Sequence, residues 1–468
     1  MAASEHNHSG MWVFPETDKM TRDVADKTSA MPRPFSIALT VAGVLFVLGI
    51  VGFVARALGD GFDAHEPWGY YAAIFSFLFM VTGAAPLAAA AFRITKSHWR
   101  RPLSRVSELF SLVGILTSLM LIPLMLVLPS IKNPGSGAEE MEIRRSLWFE
   151  VPIGAPLVWD ILGVAFLAVT GLAILWLSAV PDMAECRLTA TGFRRKFYNL
   201  LAGRWYGTKR QWVTQKAGLA ILGAFYFMLL IFVQFVISTD YAMSLVPGWK
   251  DSILPPLYTV TSFQSGLGLI LVVLFILRRW GGYEGYIGVS TFWSASKLLL
   301  AFTLLWAYHT FAFFITYWFG RMEVEQNIIK YFYIQSYGGA FAANFFFTFV
   351  VPFLVLLWNP VRKTAWGPAL AGLAALAGAL LFNLKTFVGA FNAGDIYAIG
   401  LGSVPATAWP DVWDVFIVIG GLGAAAFIYL VATRFIPVLS VWETKEGAKY
   451  QRMDTLIRGR YLVLAKPE

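Results

Sequence analysis

Cysteine is almost absent. Cys186 is the only one in 468 residues, and it stands beside a run of positive charge. A lone thiol excludes a disulfide framework, a thiolate-held iron–sulfur cluster and covalent c-type haem within this chain. Histidine is scarce too: His6, His8, His65, His98 and His309 are all there are. Only His309 falls inside a long apolar run, so a b-haem held by two helix histidines has no ligand pair, and no metal site is expected. The chain also lacks a His-Glu-x-x-His pair, a phosphate loop and a nucleophile elbow. Gly281, Gly282 and Gly285 match no nucleotide fingerprint. No apolar core follows a basic start early enough for a secretory signal peptide.

What the chain has in quantity is apolar length. Hydrophobic residues make up 57% of it and the mean hydropathy is +0.62. Ten runs are long enough to cross a bilayer: about 36–56, 70–92, 106–129, 157–181, 217–238, 253–277, 293–317, 338–358, 366–384 and 412–433. In lipid each run must satisfy its own backbone, so each is a helix. Short alternating segments, the mark of a β-barrel, are missing. The expected fold is an all-α polytopic membrane protein: a tail (1–35), a ten-helix domain (36–435) and a second tail (436–468).

The net charge of +9 does not point to nucleic acid, because the positive residues sort by side rather than into one patch. The two tails and every second loop hold 28 of the 37 Lys and Arg. Positive residues mark the cytoplasmic side, so both termini are expected there. The opposite, outer loops (130–156, 318–337 and 385–411) are long and rich in acids and aromatics, which suggests protein partners on that side. The expected location is a bacterial inner membrane, with lipid around the whole domain.

Ionisable groups inside the spans are few, and the candidates fall in the outer half. Asp160 is one turn into span four. Asp240 closes span five in the stretch Ser238-Thr239-Asp240-Tyr241-Ala242, ahead of Pro247-Gly248-Trp249. Gln234 lies roughly 9 Å deeper. His309 is in span seven, beside Tyr308. Such groups are costly in a bilayer and so are candidates for function. A carboxylate and an imidazole can hydrogen-bond a quinone head and take its protons, while Trp249, Tyr241 and Tyr308 would wall the pocket. The alternative is an ordinary interfacial turn with Trp249 and Tyr241 as belt aromatics, a solvated Asp160 and a His309 that bonds another helix. Lys297, at the inner end of span seven, is expected to snorkel.

The outer stretch resembles the signature of the NrfD/PsrC family of quinone-interacting integral membrane subunits. Gly83-Ala84-Ala85-Pro86-Leu87, His98-Trp99-Arg100-Arg101-Pro102, Val180-Pro181-Asp182, Trp306 to Gly320 and Asn344 to Trp358 continue the pattern over about 65–435. The order of these segments is most similar to the NrfD-like subunits of alternative complex III. Pro67-Trp68, leading into span two, favours the second of these, ActF-like, over ActC-like. The resemblance implies two four-helix bundles, spans two to five and six to nine, flanked by spans one and ten, one on each side. It implies quinone or menaquinone as bound substrate, near the outer face. It implies partners there: an iron–sulfur/molybdopterin-type subunit, a multihaem cytochrome c and a sister NrfD-like subunit. Asp240, Asp160 and His309 would handle protons, and Asp240, Gln234, Trp249, Tyr241, Tyr308 and His309 would bind quinone. Two positions depart from the family pattern: Gln234 stands where members often carry histidine, and Ala312 where they often carry an acid. Those departures leave open a structural anchor without a quinone site, and the ten spans alone leave open a stand-alone secondary transporter.

Overall fold

The computed structural model describes residues 17–127, 155–394, 400–456 and 459–464. Gly10 to Pro15 and residues 130–154 of the first long outer loop lie outside the described residues. Ten helices are long and apolar enough to span a membrane: Arg33–Gly59, Glu66–Ile94, His98–Val127, Val158–Cys186, Lys209–Leu245, Leu254–Arg279, Val289–Gly320, Gly338–Leu357, Trp366–Phe391 and Val412–Phe435. They are spans one to ten below. The chain is an all-α, multi-pass integral membrane protein, with one antiparallel hairpin (Gln451–Leu456 with Gly459–Leu464) in the C-terminal tail.

Spans two to five pack on one another as one bundle and spans six to nine as a second; they meet where span two lies along span six. Small residues permit that approach. A methyl group on Gly266 would fall 2.8 Å from the Cβ of Ala84, and one on Gly268 would fall 2.8 Å from the Gly372 carbonyl oxygen. Polar ties cross the same seam: Tyr258 of span six and Asn383 of span nine both hydrogen-bond Ser76 of span two, at 2.8 and 2.6 Å.

Spans one and ten do not flank the bundles one on each side, as the resemblance implied. They pack along each other and then against span two. Glycine lets their backbones close: a methyl on Gly49 would sit 2.7 Å from the Gly420 Cα. At the end away from the two tails, called the outer end below, Arg56 of span one pairs with Asp411 and Asp414, at 2.8 and 2.7 Å. Asp411 and Asp414 also cap the start of span ten reciprocally.

The tails are more structured than their polarity suggests. Thr17–Ser29 is a helix that buries Met20 and Val24 and packs on the C-terminal helix Val441–Lys449. Thr21 and Lys445 both reach Glu185, at 3.1 and 2.6 Å. Both tails therefore lie at one end of the molecule, the end of the basic loops. There Glu443, fully buried, pairs with Arg100 at 2.7 Å and Arg93 at 2.8 Å. Arg105 pairs with Asp182 at 2.9 Å, and Arg93 also pairs with Glu108. Burial works to raise the Glu443 carboxyl, but Arg100 and Arg93 outweigh it and hold the group down at about 2.

Pro86 and Pro123 sit inside spans two and three. Pro352 follows a π turn, Phe346–Val350, where its missing N–H removes a donor the wider turn cannot use. Span nine runs to Phe391 through another π turn, Leu384–Val388. Lys385, expected at the edge of an outer loop, is thereby inside the membrane domain.

Candidate functional site

The outer end of bundle one is built where two helices stop and start. Asp240 is the last residue of the helix Lys209–Asp240, and the next backbone N–H, that of Tyr241, still bonds Ile237 at 3.1 Å. The Ser244 hydroxyl then donates to the Asp240 carbonyl at 2.6 Å, satisfying an end that the helix leaves open. Asp160, near the start of span four, lies against both Asp240 and Tyr241. All three side chains are buried, with at most 2% of each residue exposed. The Trp159 indole N–H donates to Asp240 Oδ2 at 3.1 Å, while its ring is partly exposed on the outside of the bundle. Two carboxyl groups, a phenol and an indole N–H thus meet in one dry spot. Such a chain of hydrogen-bonding groups can hold a proton and pass it on.

Three of the residues singled out in the sequence are therefore brought together: Asp160, Asp240 and Tyr241. The others are not. Gln234 is fully buried 2.5 Å from Ser262, to which its amide donates, and Ser262 donates in turn to the Met80 carbonyl at 2.6 Å. That ties spans five, six and two, inward of the carboxyl pair. Trp249 belongs to the outer end of bundle two, where its ring lies 4.8 Å from that of Phe332. Tyr308 is 63% exposed on the outer surface of span seven. His309 is beside it, with Nδ1 2.8 Å from the Leu305 carbonyl of its own helix. The buried face of that span carries Thr303, Trp306, Thr310, Phe313 and Tyr317 instead.

The sequence reading missed a second cluster of buried polar groups, in bundle two. Lys385 is 3% exposed. Its Nζ lies 4.0 Å from the centre of the Tyr333 ring and 5.6 to 5.8 Å from the rings of Phe332, Phe341 and Phe382. Such faces stabilise a desolvated cation. Asp251, in the turn between spans five and six, is buried and accepts the Ile253 N–H at 2.8 Å. Burial pushes its carboxyl up to about 6, against the pull of the Ile253 and Leu254 N–H groups and of the Lys385 charge. Lys385 ends the apolar run of span nine on any hydropathy count, so the sequence offers no signal that the helix carries past it.

Fold and site define a polytopic helical membrane protein with buried proton-capable groups near one face. The chain belongs to the polysulphide reductase, NrfD family, whose family model matches residues 61–388. No curated protein matches the chain. Members of this family are membrane subunits linked to quinone-interacting redox complexes, typically partnered with iron–sulfur or molybdopterin subunits.

Proposed function

We propose that this chain is the proton-handling membrane subunit of a quinol-oxidising respiratory complex in a bacterial inner membrane. The observation that carries the reading is the burial of Asp160 and Asp240 together, from two separate helices, at the outer end of bundle one. Oxidation of a quinol releases two protons, and a carboxyl pair at this depth is placed to receive them. The pair, with Tyr241, also supplies the donors and acceptors that a quinone or menaquinone ring oxygen requires. A ring arriving from the bilayer would meet Trp159 first. The iron–sulfur/molybdopterin-type subunit, a multihaem cytochrome c and a sister NrfD-like subunit are its proposed partners on the outer face, since a chain with a single cysteine needs a partner to carry electrons.

Within the family, the place we favour is the second, ActF-like NrfD subunit of alternative complex III. The support is the ten-span length, the Pro67-Trp68 lead into span two and the two departures from the quinone pattern. Gln234 is spent on a helix tie, and Ala312 offers no acid. These departures favour proton handling over a complete quinone pocket. They also carry a second reading, a structural anchor with neither activity.

The deciding experiment is quinol turnover by the intact complex carrying Asp240→Asn. Loss of turnover by about a hundredfold, with assembly intact, is the expected result. Full activity would leave the anchor.

A further inference from the structure

Bundle two holds polar groups that the proposed role of bundle one does not use. Lys385, Trp306, Thr310, Asn344 and Tyr333 line one small cavity of about 10 Å³ in the outer half of that bundle. That is about the room the centre of one water molecule requires. Trp306 Nε1 and Thr310 Oγ1 are buried there without a hydrogen-bond partner among the described residues. Both residues are at least nine-tenths buried. Lys385 Nζ likewise makes no hydrogen bond or ion pair within 4.0 Å among the described residues; ring faces and the nearby charge of Asp251 are what oppose its charge. Unpaired buried polar groups are costly, so two of them beside a buried amine on one cavity of this size point to an occupant that bonds all three.

We propose that Lys385 is the proton-exchanging centre of a second internal site, one that holds a single water between its amino group, the Trp306 indole N–H and the Thr310 hydroxyl. The inference rests on the reading of the chain as a proton-handling subunit. The water accepts from Trp306 and, in the charged state, from the Lys385 ammonium. It donates to Thr310 and, after transfer, to the neutral amine. In the step itself the ammonium gives one proton to the water while the water's second hydrogen passes toward the Asp251 carboxylate, which lies outside the cavity lining and faces the Lys385 charge. A neutral amine and a carboxylic acid are left, and total charge is unchanged.

The direction of the path follows from position. Asp251 is in the outer turn. Inward, the Asn344 amide donates to Thr348 Oγ1 at 3.0 Å, and the Gln264 amide donates to Thr303 Oγ1 at 2.9 Å and to the Thr348 carbonyl at 2.8 Å. This line of side chains reaches the middle of spans six to eight. The titratable groups facing Lys385 are few: Asp251 from the turn and Tyr333 from the π turn Lys330–Ile334, with Tyr317 of span seven behind Tyr333. Spans six and eight present Leu257, Phe341 and Asn344 to the cavity, and span nine presents Phe382.

Two measurements on the intact complex test the site. In liposomes with a pH-sensitive dye, Lys385→Met and Lys385→Arg should each slow quinol-linked proton release by about a hundredfold. Arginine keeps the charge but does not give up its proton, so release at the native rate in Lys385→Arg would reduce Lys385 to a structural cation and overturn the proposal. A high-resolution cryo-EM map should show one water between Lys385, Trp306 and Thr310, lost in Thr310→Val. A cavity without density in the native complex would also overturn it. Thr310→Val keeps the test open should the lysine variants fail to assemble. Native turnover in Asp240→Asn would defeat the reading of bundle one, while the map would still decide the water.

Discussion

Bundle one closes its outer end on two carboxyl groups, and bundle two closes the same end on an amine in a cage of aromatic rings. The same four-helix plan thus hosts acids and a base by different physics. The acids sit at helix ends, where Trp159 supplies an N–H and Tyr241 a phenol. The amine sits in mid-helix, at a π turn, among ring faces with Tyr333 nearest at 4.0 Å. At the opposite end the bundles differ again. Bundle one is locked to the C-terminal helix by a buried ionic network around Glu443. Bundle two, by contrast, is held internally by neutral amides, those of Gln264 and Asn344. A charge inside a membrane protein therefore needs a built surrounding, but no single kind of surrounding.

Breaking the ionic lock should have the largest effect on stability. Glu443→Gln leaves Arg93 and Arg100 short of their shared partner, a buried charge left uncompensated, at a cost of about 3–5 kcal/mol. The thermal midpoint of the detergent-solubilised chain should fall accordingly, whereas Gln264→Leu in bundle two should cost less. The pH dependence has a definite sign. Glu443 is held at about 2 in the folded protein, from an ordinary 4.5. Its contribution is present above about 4.5 and is lost as pH falls from there toward about 2. Glu443→Gln should lack that part of the acid sensitivity; an unchanged acid profile would show that the lock does not carry it.

The next effect sharpens the contrast into a question of wiring. Asp240→Asn and Lys385→Met are each expected to slow quinol-linked proton release about a hundredfold. If the two bundles act in series, the double variant is no slower than either single one. If they are independent routes, the intact one carries release in each single variant, the single losses are small, and only the double variant falls about a hundredfold. Proton release in proteoliposomes, compared across the cycle, separates the two.

A smaller effect concerns Asp251, the acid that bundle two does possess. Its carboxyl is pushed up to about 6 from 3.8 by burial. The folded state then binds the proton more tightly than the unfolded one, so stability falls as pH rises from about 4 to about 6, by on the order of 3 kcal/mol in all. Asp251→Asn should flatten the thermal midpoint over that window. A native slope in the variant would mean another group is responsible.

The sequence carried the fold well because lipid leaves little choice: ten apolar runs must be ten helices, and charge sorts their ends. It misplaced spans one and ten because their pairing depends on Gly49 meeting Gly420, a close approach that no hydropathy pattern shows. Asp160 and Asp240 were legible as acids at span ends, but their meeting depends on how spans four and five pack. Lys385 was hidden for a different reason. A basic residue ends an apolar run on any hydropathy count, and only a fold that wraps it in Phe332, Tyr333, Phe341 and Phe382 carries the helix past it. The tails show the opposite case, since Met20 and Val24 are fully buried by a helix within a largely polar tail.

The smallest expected effect is the sharpest check on how the helices are rotated. Tyr308 and His309 were the natural partners for a quinone in span seven, because an imidazole and a phenol in the outer half of a membrane are costly unless used. In the structure they face away from both bundle interiors. Tyr308 is 63% exposed, and the His309 ring meets the Leu305 carbonyl one turn earlier in its own helix. A side chain that bonds its own backbone at the bundle surface can be exchanged with little consequence. Tyr308→Phe and His309→Gln should therefore change quinol turnover by less than about twofold, since neither removes a group that meets substrate or a proton path. Thr310→Val, next along the chain but on the opposite face, should have the much larger effect. A rotation of span seven by one residue, about 100°, would exchange these outcomes. A strong loss in His309→Gln with none in Thr310→Val would place the working face of bundle two on the lipid side, where a partner subunit would have to cover it.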